Sequence, residues 1–94
     1  MKPIIENFIE TRVEKGQYFD SHAVIAYLLQ KHTNLYLQGV GENDNVETYH
    51  ARLALLLKEF EKPGHDVRIE RIGDCVSKNM KDNFSPCILW KRIN

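Results

Sequence analysis

The sequence predicts an α+β fold in which a three-helix bundle is followed by a C-terminal antiparallel β-hairpin. Apolar residues recur at helical spacing through the first two thirds of the chain, and the last third alternates apolar and charged residues as a half-buried strand does. Pro63-Gly64 separates the two regions. A length of 94 residues with 43% hydrophobic residues fits one globular domain, residues 1–94.

The first two helices are predicted over about residues 3–15 and 21–32. The first follows Pro3, a residue favoured in a first helical turn, and it ends before Gly16. Asp20 or Ser21 can cap the second, because either side chain can accept a hydrogen bond from a free N–H group of the first turn. Residues 33–45 leave two possibilities open, a short helical extension or a short strand.

The third helix, predicted over about residues 45–61, has the clearest pattern. Asp44 and Glu47 have the spacing of a capping box. A single stripe follows them at helical spacing, formed by Val46, Tyr49, His50, Leu53, Leu57 and Phe60. We expect this stripe to face the first two helices, with Trp90 closing the core from the hairpin.

The hairpin is predicted over about residues 67–76 and 85–93, with its turn at 81–83. The first strand alternates apolar and charged residues, and the second contains a compact run of strand formers. A symmetric hairpin would set Cys75 opposite Cys87, and it would form three more pairs, Ile72 with Trp90, Glu70 with Arg92 and Arg71 with Lys91.

Charge is unevenly distributed along a chain whose net charge is zero. Residues 1–66 hold 7 Lys/Arg and 10 Asp/Glu, whereas residues 67–94 hold 6 and 3. The basic last third either orients the domain toward a polyanion or an acidic partner, or is a plain solvated surface.

Acidic residues near the start and the lack of any run of ~18 apolar residues argue against export and against a membrane partner. Two cysteines without metal or redox spacing indicate a cytoplasmic location.

No motif in the sequence points to an enzyme, a cofactor or a metal. His50, His65, Cys75 and Cys87 are competent metal ligands, but their spacing is irregular. Asp20-Ser21-His22 contains the residue types of a catalytic triad, yet adjacent residues on one helical turn point in different directions. We therefore expect a non-enzymatic binding module that needs no cofactor and no metal.

Two segments, Gly16-Gln-Tyr-Phe-Asp-Ser-His-Ala-Val-Ile25 and Leu53 through Ile72, resemble the helix-two and helix-three-to-wing passages of the winged helix-turn-helix superfamily. The resemblance implies a winged-helix-like fold whose third helix enters the DNA major groove and whose hairpin, the wing, touches the phosphates. It would place Arg52 with Thr48, Ala51 and Leu55 on the reading face, and Lys78, Lys81 and Asn83 on the wing. Phe19–His22 combined with Asn83-Phe-Ser and Leu89-Trp90-Lys91 is also similar to small bacterial proteins without an assigned activity.

The chain departs from this family in two respects. About a dozen residues link the second and third predicted helices, where a helix-turn-helix has about 3–4. The third helix also carries Glu47, Glu59 and Glu61, which repel phosphate. The predicted nucleic-acid-binding residues are Arg52, Lys78, Lys81 and Asn83. The alternative is a protein-interaction module or small homodimer without nucleic acid, favoured by the zero net charge and by Leu55, which lies off the apolar stripe.

Overall fold

A computed structural model describes residues 1–43 and 45–94. Within these residues the chain forms four helices and three strands, an α+β arrangement as predicted. The helices are α1 (Lys2–Arg12), α2 (Ser21–Lys31), α3 (Thr33–Glu42) and α4 (Val46–Glu59). The strands are β1 (Tyr18–Asp20), β2 (Ile69–Lys78) and β3 (Phe84–Arg92), and they form an antiparallel sheet in the order β1-β3-β2.

Side chains cap the N-terminal ends of two helices, α2 and α4. The carboxylate of Asp20 accepts a hydrogen bond from the Ala23 N–H group at 2.8 Å, which confirms it as the cap of α2. The side chain of Asn45 caps α4 by accepting from the Thr48 N–H group at 2.7 Å. The predicted capping pair with Glu47 includes Asp44, which lies outside the described residues.

The region left open between the second and third predicted helices forms α3. Two glycines lie inside this helix, which is why its sequence is hard to distinguish from a loop. Gly39 has a packing role, since a Cβ atom at that position would overlap with the Tyr49 ring of α4. The missing side chain lets α3 approach α4 closely, with the Tyr36 and Tyr49 ring centroids 5.4 Å apart.

The segment Tyr18–Asp20, which reads as the approach to a helix, forms the short strand β1. It pairs with the C-terminal end of β3 and sets Phe19 opposite Trp90. Three residues are too few to show the alternation by which a strand is recognised in a sequence.

The hairpin register is partly as predicted. Cys75 lies opposite Cys87, which confirms that pair. The other three predicted pairs are wrong, because a β-bulge between Arg71 and Gly73 adds one residue to β2 and shifts the register beyond it. The observed pairs there are Ile69 with Arg92, Glu70 with Lys91 and Arg71 with Trp90.

One hydrophobic core joins the helices to the sheet. Trp90 is completely buried, and its indole N–H group donates to the Ser21 hydroxyl at 3.2 Å. Its neighbours in the core include Ile5, Ile9, Leu28, Leu53, Leu57, Phe60, Val67 and Ile69. Val46 and His50, which the predicted stripe includes, are only half-buried. None of the helices within 1–43 and 45–94 is long and apolar enough to cross a membrane.

The assignment of the α4 core face predicts the effect of two matched leucine truncations. Leu57 is 1% exposed and Leu55 is 60% exposed on the same helix. Leu57→Ala should lower the free energy of unfolding by about 2–5 kcal/mol through lost burial and a residual cavity. The control Leu55→Ala should change it by no more than about 0.5 kcal/mol. Similar losses for both variants in chemical denaturation would contradict this placement of the core face.

Candidate binding site on the hairpin arm

The part of the β2–β3 hairpin beyond the bulge, residues 73–89, is called the hairpin arm here. His22, in the first turn of α2, joins it to the helices. The Nδ1 atom of His22 lies 2.6 Å from the Ser77 hydroxyl, and its Nε2 atom lies 3.3 Å from the Ser85 hydroxyl. Ser77 and Ser85 are opposite each other in the sheet. One imidazole therefore holds both strands of the arm against α2.

The tip of the arm, residues 78–83, consists of the last residue of β2 and a turn organised by Asn79. The side-chain oxygen of Asn79 accepts from the N–H groups of Lys81 at 2.9 Å and Asn83 at 3.2 Å. The backbone N–H group of Asn79 donates to the Asn83 carbonyl at 2.8 Å. Asp82 adopts a left-handed conformation with φ of 62°, which aspartate tolerates better than most residues. The turn therefore has a defined shape.

The tip also contacts the helices through Met80. The buried Tyr36 hydroxyl of α3 lies 3.4 Å from the Met80 sulfur and 2.8 Å from Nε2 of His50 on α4. When His50 is neutral, one arrangement of the protons makes both contacts hydrogen bonds. In it, Nε2–H of His50 donates to the hydroxyl oxygen, and the hydroxyl donates to the sulfur. Nδ1 of His50 then remains as an acceptor.

A cleft of about 360 Å³ lies between the arm tip, α2 and the first turns of α4. This volume is within the range of small-molecule sites, roughly 300–1,000 Å³. The apolar lining consists of Ile25, Ala26, Leu29, Val46 and Met80. The polar lining consists of His22, Gln30, Glu47, His50, Lys78, Asn79, Lys81 and Ser85. The cleft thus combines apolar walls with a polar rim.

Burial keeps two of the polar groups in this region neutral. Burial lowers the pKa of His50, the nearby His22 lowers it further, and Glu47 opposes the shift. Burial also raises the pKa of the Tyr36 hydroxyl, with a further contribution from Tyr49. The hydrogen bonds from His50 to Tyr36 and from Tyr36 to Met80 therefore persist at neutral pH.

Of the predicted site residues, the structure brings Lys78 and Lys81 together at the cleft. Asn83 belongs to the same turn, where its backbone groups bond to Asn79. Arg52 is exposed on α4 and does not line the cleft. It lies two residues after His50, about 200° further around the helix, so it is on the other flank of the core stripe.

Three other basic residues of the last third contact groups outside the tip. The Arg92 guanidinium donates to the Val13 carbonyl at 2.7 Å and caps the end of α1. Arg71 pairs with Asp74 at 3.1 Å, and Lys91 lies over the Tyr18 ring. Each of these cations interacts with a carbonyl, a carboxylate or an aromatic ring outside the cleft. The lysines that line the cleft are Lys78 and Lys81.

The two cysteines face each other across the arm with their sulfur atoms 3.3 Å apart. Burial, Cys87 and two nearby aspartates raise the pKa of Cys75 to about 11, so its thiol stays protonated and is a weak nucleophile. Asp20, Cys75 and Cys87 are close enough to share a cation, with ligand atoms within 4.8 Å of one another. Such binding would have to overcome the high pKa of the thiol.

Sequence reasoning identified the tip lysines and pointed to Met80 as a side chain that could contact a base, but it missed His22 and Tyr36 as parts of the site. The alternation of a strand places Ser77 and Ser85 on the same face of the arm as the two cysteines. Nothing in the sequence identifies their hydrogen-bond partner on α2, which is His22. Comparison of the chain with protein-family models, with curated proteins and with solved structures found no match.

The lowered pKa of His50 predicts a specific pH dependence of stability. In the unfolded chain His50 regains its ordinary pKa of 6.5, so below that pH the unfolded state binds a proton that the folded state resists. The free energy of unfolding should therefore fall as the pH drops from about 7.5 to about 5.5. His50→Gln should reduce this fall, measured by urea denaturation. The control His65→Gln removes a histidine that lies against Phe60, outside the cleft. Equal reductions in both variants would contradict the assignment to His50.

Proposed function

We propose that this chain is a small, non-enzymatic nucleic-acid-binding module of the winged helix-turn-helix type, which contacts phosphates mainly through the tip of its hairpin arm. The observation that carries the proposal is the presentation of two lysines at the arm tip, Lys81 on an ordered turn and Lys78 at the end of β2, beside an exposed Phe84. The helical bundle followed by a hairpin supports the resemblance to that superfamily. A reducing cytoplasmic setting is part of the proposal, because Cys75 and Cys87 are free thiols.

The charges of the tip suit contact with a phosphate backbone. Lys81 takes part in no ion pair among the described residues, and its ammonium can neutralise a phosphate directly. Lys78 lies 3.3 Å from Asp82, but both side chains are well exposed. An exposed pair of this kind is worth little, so a phosphate can compete with Asp82 for the lysine.

The outer face of α4 is a poorer surface for the same ligand. Arg52 and Lys58 are exposed on α4, but a separation of six residues points them about 120° apart around the helix, so they do not act as a pair. Thr48, Ala51 and Leu55 add no charge to this face. The tip therefore supplies most of the affinity in this proposal, and α4 supplies little.

The proposal predicts the salt dependence of binding. Replacing Lys78 and Lys81 together by Ala should weaken binding to a random DNA duplex and flatten the slope of log affinity against log salt by about two units, since each neutralised phosphate contributes about 0.9. Asp82→Asn should have the opposite effect, because it releases Lys78 and because asparagine also tolerates the left-handed conformation. Fluorescence anisotropy at several salt concentrations measures both effects.

The matched control replaces Lys15 and Lys62, two exposed lysines outside the tip, by Ala. Its slope should stay close to that of the wild type. Equal flattening by the control pair would show that the charge of the whole chain matters and the tip does not. Absence of salt-dependent binding by the wild type to both duplex and single-stranded DNA, even at low ionic strength, would overturn the proposal.

A second candidate function is protein interaction through the outer face of the arm. Val76 lies opposite Pro86, and Val76 and Phe84 are 65% and 69% exposed. Exposed apolar groups that adjoin one another are typical of contact surfaces. If this face forms a homodimer, sedimentation should show a dimer that Val76→Ser weakens and that Lys81→Ala leaves unchanged, because Lys81 lies in the turn beyond the two strands.

A further inference from the structure

The tip lysines border the cleft, and this juxtaposition bears on the kind of nucleic acid that the arm accepts. Lys78 and Lys81 belong both to the proposed phosphate contact and to the lining of the cleft. A strand whose phosphates lie on these lysines therefore has its nearest bases at the cleft mouth. The cleft either stays empty in such a complex or receives one of those bases.

The walls of the cleft suit the flat faces of a base. Ile25, Leu29 and Val46 provide apolar surface, and Met80 adds a polarizable thioether at the tip. The His50 imidazole, held neutral by burial and fixed by Tyr36, offers a ring on which a base can stack. A cleft of about 360 Å³ holds roughly a dozen water molecules at about 30 Å³ each, which is ample for a purine ring.

The rim of the cleft suits the edge of a base. The Glu47 carboxylate is an acceptor for the exocyclic amino groups that three of the four bases carry. The Gln30 amide offers both a donor and an acceptor. A paired base still shows amino groups in the grooves of a duplex, but stacking covers its faces. Only an unstacked base can offer its edge to the rim and its faces to the walls of the cleft.

We propose that the cleft receives one unstacked base and that the nucleic acid bound by this chain is single-stranded. This inference rests on the proposed function, because the tip lysines bring the strand to the cleft. Bases of a duplex remain paired and stacked, so a duplex gains only the phosphate contacts. A single strand gains the same contacts and the cleft.

The test compares a labelled single-stranded DNA of mixed sequence with its duplex by fluorescence anisotropy at several salt concentrations, the two DNAs being measured at the same salt each time. Wild-type protein should bind the single strand at least about tenfold more tightly, which is a typical contribution of one stacked base. Ala26→Met fills the cleft with an uncharged side chain that favours helix, at an exposed position of α2. It should remove most of this preference and leave duplex affinity and its salt slope unchanged.

Ala51→Met is the matched control, since Ala51 is exposed on α4 outside the cleft. It should keep the wild-type preference, and thermal unfolding verifies that both variants fold. Equal wild-type affinity for the two DNAs, or a preference that survives Ala26→Met, would overturn the cleft assignment while the proposed function stands. Absence of salt-dependent binding to either DNA would overturn the proposed function, and this inference with it.

Discussion

The structure depends on the junction at residues 18–22, where β1 turns into α2. Phe19 sets the strand opposite Trp90 in the core, and the next residue, Asp20, caps the helix. Ser21 then accepts the hydrogen bond of the Trp90 indole, and His22 bonds to both strands of the arm. Four consecutive side chains therefore fix the sheet, the second helix and the arm relative to one another. If these contacts came from residues scattered along the chain, each residue would lose conformational entropy separately when it became ordered.

This constraint explains why the arm lies against the helices. Its inner face carries Ser77 and Ser85, which His22 holds, and its tip reaches Tyr36 through Met80. The tip lysines consequently border a cleft whose other walls come from α2 and α4. In the proposed complex, the phosphate contacts and the bound base therefore lie on one surface. A helix that reads the DNA major groove would instead use the opposite flank of α4.

Sequence reasoning could predict the elements whose signals are local. The stripe of α4 and the Asp20 cap are read directly from spacing and residue type, and the facing cysteines follow from the turn position. The three-residue β1, the bulge after Arg71 and the helix around Gly39 depend on partners distant in the sequence. The same division holds for the site, because tip lysines can be recognised in a turn, whereas His22 and His50 join it only through tertiary contacts.

The proposed binding surface is the arm tip with the cleft, and not the outer face of α4. Chemical-shift mapping by NMR during titration with a single-stranded oligonucleotide distinguishes the two surfaces. We expect the largest shifts on residues 78–83 and on the cleft residues Ala26 and His50. Shifts concentrated on Thr48 and Arg52, with the tip and the cleft unchanged, would contradict it.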